Sequence, residues 1–275
     1  MTDSDQATVP ANKTEFVRSF ASGLDVLETF TPAEPRLTLA DVAKKSGMSR
    51  ATARRMLLTL VERGYAYTDG RTFELTPRVL SLGHGYWSGR SWHELLQPAL
   101  RDVSSRLNES CSAAILTGDD VMYVSRVHTR RIMRIDLGLG TRLPAVATSM
   151  GRVLLADLPD AQLRSRLERM KRPARTQYTL TTVDQLADAI AEVRTKGCSM
   201  VDQELELGLR SVGLPVRDGD GRTVLAINTS LSAGQESPEA TVRRVVPALQ
   251  ECAAHVETMI RSLGKDLDSL TGSLS

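Results

Sequence analysis

Arg50, Arg54 and Arg55 fall within six residues, interleaved with Ala51 and Thr52 and preceded by Ser49. From Lys44 to Arg55 the chain carries five basic residues (Lys44, Lys45, Arg50, Arg54, Arg55) and no acid. These are the side chains of phosphate and base-edge recognition. The arginine fork of Arg55 can donate a bidentate pair to a guanine O6/N7 edge, and Ala51 and Thr52 are short enough to meet thymine methyls or base edges. Ser49, Arg50 and Arg54 suit phosphate oxygens, which position a protein without reading sequence. A charge cluster with no fixed geometry is only a solvated face, so its meaning depends on what presents it.

The flanking residues supply a helix. Thr38 can accept from the backbone N–H of Asp41, whose charge suits a helix N-terminus, and Leu39, Val42 and Ala43 follow at helical spacing. Gly47 provides the left-handed closure, Met48 fills the corner, and Ser49 caps a second helix. Its apolar stripe is Ala53, Met56, Leu57, Leu60 and Val61, which leaves Ala51, Thr52, Arg54, Arg55, Leu58 and Glu62 outside. Two short helices with a basic start to the second form a helix-turn-helix, which implies duplex DNA as partner, with Thr38 counted among the contacting residues at the motif's start. Gly64 ends the second helix. From Tyr65 to Leu75 aromatic and polar residues alternate about Asp69-Gly70, a hairpin that would form a wing, with Arg71 placed to touch the sugar-phosphate backbone. Thr76-Pro77 then opens a further helix through Val79, Leu80 and Leu82.

Charge as a whole does not draw this chain to nucleic acid. It has 35 Lys+Arg against 33 Asp+Glu, and residues 15–78 hold ten basic and eight acidic residues, so binding must rest on local placement. At 275 residues the chain suits two domains. Residues 1–14 read as a disordered tail, 15–76 as the winged helix-turn-helix, 77–90 as a linker helix, 91–265 as a second domain and 266–275 as a tail. No stretch looks like a signal peptide or a membrane span. Three scattered cysteines, Cys111, Cys198 and Cys252, fit a reducing cytoplasm, and no ligand spacing implies a metal or cofactor. An enzyme using Cys111 or Ser149 with His128 would need an acid-base pair or a nucleophile elbow, and neither spacing is present.

Periodicity sketches the second domain. Trp92 to Leu107 is an amphipathic helix, and strands are expected at Cys111 to Leu116, Val121 to Val127 and Ile132 to Leu137, with a turn at Gly118-Asp119-Asp120. Thr148 to Ala156 reads as a helix start, and Val183 to Lys196 as a longer helix closed by Gly197. Strands return at Ser199 to Asp202, Ser211 to Arg217 and Thr223 to Ser230, and a last helix runs from about Pro238 to Leu263. The expected fold is α+β: a winged helix-turn-helix joined by the linker helix to an α/β domain with a mainly antiparallel sheet.

Over residues 15–265 the chain resembles IclR-type transcriptional regulators. The resemblance is carried by the capped helix-turn-helix and wing, the linker helix, Ala147-Thr148-Ser149-Met150-Gly151-Arg152, and the segment Asp202-Gln203-Glu204-Leu205-Glu206-Leu207-Gly208-Leu209-Arg210-Ser211. Thr129-Arg130-Arg131-Ile132-Met133, Gly140-Thr141-Arg142-Leu143-Pro144 and the Asp202 to Ser211 stretch are similar to the subfamily that senses protocatechuate and 4-hydroxybenzoate. The resemblance implies a GAF-like effector domain, a homodimer or dimer of dimers on a palindromic operator, and no catalysis. It frames a pocket for a small aromatic carboxylate by Ser149, Met150, Gly151 and Arg152, by Asp202, Ser211 and Val212, and by Asn228 and Ser230. A carboxylate would meet free N–H groups of the helix start, hydroxyls would meet Ser211, Asn228 and Ser230, and Arg134 would be the counter-ion. Two plainer readings stay open: Arg130, Arg131 and Arg134 as a solvated strand face, and Asp202 and Glu204 as turn and interface structure. A regulator answering another small organic acid, or a DNA-binding protein answering none, also stays open. Effector preference for one arrangement of paired domains would bias the spacing of the recognition helices, transmitted through a linker weakened by Gly83, Gly85 and Gly89.

Overall fold

The computed structural model describes residues 16–31, 33–82, 92–129 and 138–262. Contacts divide the chain into two compact units, Met1–Arg90 and Ser91–Ser275.

In the first unit the helical corner forms from its caps. The Thr38 hydroxyl accepts from Asp41 N, and the Asp41 carboxylate accepts from Thr38 N, closing a capping box at the start of α2 (Leu39–Ser46). Gly47 ends α2 with φ 69°, and Ser49 caps α3 (Arg50–Glu62) by accepting from Thr52 N at 3.2 Å. Val42, Ala43, Ala53 and Leu57 are buried together with Val26, Leu37 and Phe73, while Met48, Met56, Leu60 and Val61 pack around them. The stripe expected on α3 therefore faces inward. Strands β2 (Ala66–Thr68) and β3 (Thr72–Leu75) make the wing hairpin, and β1 (Arg36–Thr38) adds to the outer side of β3 in the order β1-β3-β2. Asp69 closes the hairpin turn by accepting from the backbone N–H groups of Thr72 (2.7 Å) and Arg71 (2.8 Å). Those two bonds hold its carboxyl down at about 2. Thr76 caps a 3-10 turn at Pro77–Val79, and helical backbone follows at 80–82. The remainder of the expected linker helix, 83–90, lies outside the described residues, as does the expected N-terminal tail.

Two elements of this unit have no strong local signal. Helix α1 (Arg18–Glu28) starts at Val17 without a side-chain cap and buries only Val26 fully, leaving Phe16, Val17, Phe20 and Leu24 exposed. Strand β1 is three residues long and is held by pairing with β3, including an Arg36–Glu74 ion pair at 2.5 Å.

The second unit is built on one six-stranded sheet, with every neighbouring pair antiparallel. Its strands are β4 (Ser110–Thr117), β5 (Asp120–Val127), β6 (Arg142–Pro144), β7 (Ser199–Asp202), β8 (Leu209–Arg217) and β9 (Thr223–Ser232), in the order β6-β5-β4-β9-β8-β7. One face packs on α4 (Trp92–Leu107) and the long α8 (Pro238–Ser262) through Leu96, Leu100, Val212, Ile227, Leu249 and Ile260. The other face packs on α5 (Ser149–Leu155), α6 (Asp160–Arg169) and α7 (Val183–Lys196) through Ala114, Ala226, Met150, Leu155, Leu167 and Ile190. Period-2 alternation assigns strand residues to one layer or the other, except at the register shifts between Ala113 and Ala114 and between Val216 and Arg217. The strand expected at Ile132 to Leu137 lies outside the described residues. Helix α6 follows Pro159 and is polar except for the buried pair Leu163 and Leu167, too little apolar spacing to announce a helix.

Helix α5 packs closely enough on the turn before it and on the sheet to require a glycine at each contact. A Cβ on Gly151 would sit 2.1 Å from the Ala145 carbonyl oxygen, in the 3-10 turn Ala145–Ala147 that precedes the helix. A Cβ on Gly213, in mid-β8, would meet the Ser149 Oγ at 3.1 Å. Gly151→Ala is therefore expected to cost about 3 kcal/mol through overpacking against backbone and to lower the melting temperature by roughly 5–10 °C in calorimetry. An unchanged melting temperature would show that α5 has room to shift. At the wing, the Asp69 hydrogen bonds are complete above the ordinary carboxylate range and are lost as pH falls toward about 2. Carboxyl NMR should place the Asp69 midpoint near 2, whereas an ordinary midpoint near 4 would mean that the turn does not hold it.

Candidate DNA interface and effector pocket

On α3 the outward face begins with Arg50, Ala51, Arg54 and Arg55, all exposed, and with Thr52 half-buried beside them. Arg50, Arg54 and Arg55 make no ion pair among the described residues, so their charge is open to solvent. Arg71 is exposed just past the tip of the wing turn. Two of the residues expected to touch DNA are otherwise engaged. The Thr38 hydroxyl is used in its capping box, and the Ser49 hydroxyl caps α3 and lies 3.0 Å from the Thr52 hydroxyl. Lys45 also leaves the cationic cluster, through an ion pair with Glu34. What remains is a compact positive face at the start of α3.

In the second unit the sheet brings polar residues from four strands into two adjacent rows. Ser112 on β4 stands opposite Arg126 on β5 and Asn228 on β9; Asn228 stands opposite Gly213 on β8. A second row runs from Ser110 through Ser230 to Ser211. Their sequence neighbours Cys111, Ala113, Val212 and Ile227 are in the layer against α4 and α8, so these rows face α5. Arg126 Nη1 donates to Ser112 Oγ at 3.3 Å, and Asn228 Nδ2 to Ser230 Oγ at 3.4 Å. Three buried side-chain atoms end without a partner among the described residues: Thr117 Oγ1, near the end of β4, and Ser149 Oγ and Asn228 Oδ1 at these rows, the last two on residues that are 0% and 3% exposed. A buried polar atom left unpaired costs on the order of 1–3 kcal/mol, so two on one sheet face mark a place built to receive hydrogen bonds from something else.

The residues expected to frame the pocket divide accordingly. Ser149, Asn228, Ser230 and Ser211 belong to the α5 face of the sheet. Val212 does not: alternation turns it into the core against α4 and α8, because Ser211 and Val212 are consecutive on one strand and cannot share a face. The helix start also differs from expectation. Gly151 N already donates to Thr148 Oγ1 at 3.1 Å, and Met150 is fully buried among Ala145, Leu155 and Ile190. Arg152 is a structural arginine: its Nη1 and Nη2 donate to the two oxygens of Glu204 at 2.8 and 2.5 Å, and its Nε donates to the Val146 carbonyl. Asp202 is likewise taken, in a bidentate pair with Arg210 at 2.8 and 3.0 Å. Arg134 lies outside the described residues. Arg126, Ser110 and Ser112 were not anticipated, although a charged residue inside an apolar strand, and serines alternating with Cys111 and Ala113, are signals that sequence carries.

A cleft of about 630 Å³ opens elsewhere, along the edge strand β7 between α7 and the start of α8. Its charged lining is mixed, with Asp188, Glu192 and Glu239 against Arg152, Lys196 and Arg243. Of the described residues expected to frame the pocket, it borders Arg152 alone. Burial pushes the Cys111 thiol up to about 11, so it is protonated at neutral pH and poorly suited to nucleophilic attack.

Comparison with known proteins agrees with both units. A family model of the IclR helix-turn-helix domain matches residues 21–70, and a model of the bacterial transcriptional regulator IclR C-terminal domain matches residues 84–258. The chain is 42% identical over 236 residues to the Pca regulon regulatory protein of Pseudomonas putida, covering 86% of this chain and 81% of that protein. It is 30% identical over 251 residues to the p-hydroxybenzoate hydroxylase transcriptional activator of Acinetobacter baylyi, covering 90% of this chain and 93% of that one. An IclR homolog from Microbacterium hydrocarbonoxydans, crystallised with 4-hydroxybenzoate, shares the fold with a TM-score of 0.75 at 23% identity, over 89% of this chain and 99% of the other. With a helix-turn-helix of this form, a six-stranded effector-type domain and matches that span both, the chain belongs to the IclR family of transcriptional regulators.

Proposed function

We propose that this protein controls genes of aromatic-compound catabolism, binding a palindromic operator as a homodimer or dimer of dimers. Its grip responds to a small aromatic acid of the protocatechuate or 4-hydroxybenzoate class. The observation that carries the effector half is the pair of buried, unpartnered atoms, Ser149 Oγ and Asn228 Oδ1, on the α5 face of the sheet. A hydroxylated ring carries the groups that such atoms would bond, and Ala114, Ala226 and Tyr123 supply apolar surface on the same side of the sheet. The relatives named for the Pca regulon and for p-hydroxybenzoate hydroxylase support that choice of ligand. Ser211 and Ser230 complete the polar lining.

On the DNA side, Arg55 reads a base edge, with Ala51 and Thr52 beside it. Arg50, Arg54 and Arg71 hold phosphates. An effector that binds one arrangement of the paired domains more tightly shifts the protein toward it by that difference in affinity alone.

Fluorescence anisotropy on operator and random DNA separates the arginine roles. Arg55→Ala should cost about 1–3 kcal/mol on the operator and relax preference at one base pair, whereas Arg50→Ala should weaken binding to all sequences alike. Equal losses on both DNAs for both variants would refute the division. For the effector, calorimetric titration of the full chain with protocatechuate and 4-hydroxybenzoate should show saturable binding, and footprinting of operator DNA should change when either is added. A flat titration with an unchanged footprint would leave a DNA-binding protein that answers neither acid.

A further inference from the structure

Helix α3 carries one large apolar side chain that its own packing does not use. Ala53 and Leu57, both 0% exposed, fill the core of the first unit with Met56, Leu60 and Val61 packed around them, while Leu58 is 43% exposed. At about 100° per residue, the steps from Ala51 to Leu58 return the side chain to within roughly 20° of Ala51. Arg54 lies to one side of the line joining them and Arg55 to the other, so Leu58 stands at the centre of the outward face. Neither arginine makes an ion pair among the described residues. Glu62, exposed one turn further on, closes the stripe with a charge that phosphates repel. A single exposed leucine is ordinary on a solvated helix. This one is centred between two arginines, and Ala51, Arg54, Arg55 and Leu58 have the i, i+3, i+4, i+7 spacing by which a helix in the major groove presents one stripe to the bases.

We propose that Leu58 is a sequence-reading residue, packing its methyl groups against the C5-methyl of a thymine in the operator. This assignment rests on the reading of α3 as the helix that enters the groove. Thymine alone presents a methyl on its major-groove edge; the other edges present donors and acceptors. Against a G·C pair a leucine would strip water from polar atoms and return no hydrogen bond. Against a thymine methyl it buries apolar surface on apolar surface. At a rise of about 1.5 Å per residue, Leu58 lies roughly 10 Å along the helix from Ala51, or about three base-pair steps of roughly 3.4 Å. The thymine that Leu58 meets is therefore a different one from any within reach of Ala51 or Thr52. Leu58 thus extends base reading from the capped start of α3 to its third turn.

Duplexes enriched from a random pool by the full chain supply the operator for the test. Anisotropy then follows binding as each thymine of the half-sites is replaced in turn by deoxyuridine, which lacks only the methyl. For the unmodified protein, one such replacement at the Leu58 position should weaken binding about fourfold, the value of burying one methyl-sized group. Leu58→Ala should weaken the thymine operator by a similar factor and erase that penalty, leaving the penalties at other thymines unchanged. Leu58→Met, which keeps an apolar side chain of similar reach, should retain part of it. Both variants should bind random duplex within about twofold of the unmodified protein, because phosphate contacts are untouched; this also verifies that they are folded. If Leu58→Ala keeps every deoxyuridine penalty, or if no thymine shows one while Arg55→Ala still relaxes operator preference, the assignment falls and the groove reading stands. If Arg55→Ala and Leu58→Ala each weaken operator and random duplex alike, α3 reads no bases and both fall.

Discussion

The Arg152–Glu204 pair ties helix α5 to the segment between β7 and β8, and the geometry of the second unit follows from that tie. Both charges are buried and every contact is satisfied: two parallel N–H···O bonds, the Val146 carbonyl on Nε, and Leu180 N on the second Glu204 oxygen. A buried pair of this kind adds little net stability against a well-packed apolar substitute, yet removing one partner costs about 3–5 kcal/mol, because the other charge is stranded. Its contribution is therefore position. The apolar layers on the two sides of the sheet supply the cohesion. The ion pair, together with Gly213, holds α5 directly on β8 and brings Ser149 onto the polar rows of the sheet, while Gly151 lets the helix pack on the 3-10 turn before it.

That placement turns a sheet face into a pocket wall. An ordinary antiparallel sheet covered on both sides would be apolar on both. Here one face carries Ser110, Ser112, Asn228, Ser230 and Ser211 in two transverse rows, with Arg126 at the end of one of them. The same few residues would be a liability in a passive core. Under a helix held down at its start, they leave Ser149 Oγ and Asn228 Oδ1 buried without a partner among the described residues, which is what the proposed effector site would use.

The DNA-binding unit works at smaller scale, by local bonds rather than by bulk charge. Thr38, Ser49 and Asp69 each spend a side chain on backbone N–H groups, and the corner, the start of α3 and the wing turn hold their shape as a result. A chain with a net charge of +2 has no general field for nucleic acid. In the proposed interface, presentation of Arg50, Arg54 and Arg55 on a capped helix would take its place.

Sequence alone determined whatever rests on contacts between near neighbours in the chain. Thr38-x-x-Asp41, Gly47, Ser49, Asp69-Gly70 and Gly197 set helix and turn ends through bonds a few residues long, so α2, α3, the wing and the end of α7 are legible with their boundaries. Helices α1 and α6 and strands β1 and β6 carry weak local signals and owe their form to what they pack against. The candidate site was legible only in part for the same reason. Family resemblance supplied Ser149, Ser211, Asn228 and Ser230, but it also supplied Val212, which strand alternation turns away, and Arg152, which Glu204 claims. Arg126, Ser112 and Asn228 come from positions up to 116 residues apart, and only the register of β5, β4 and β9 makes them neighbours. Register is set by long-range pairing and burial rather than by the residues around each position, and so tertiary structure alone decided which side chains share the α5 face of the sheet.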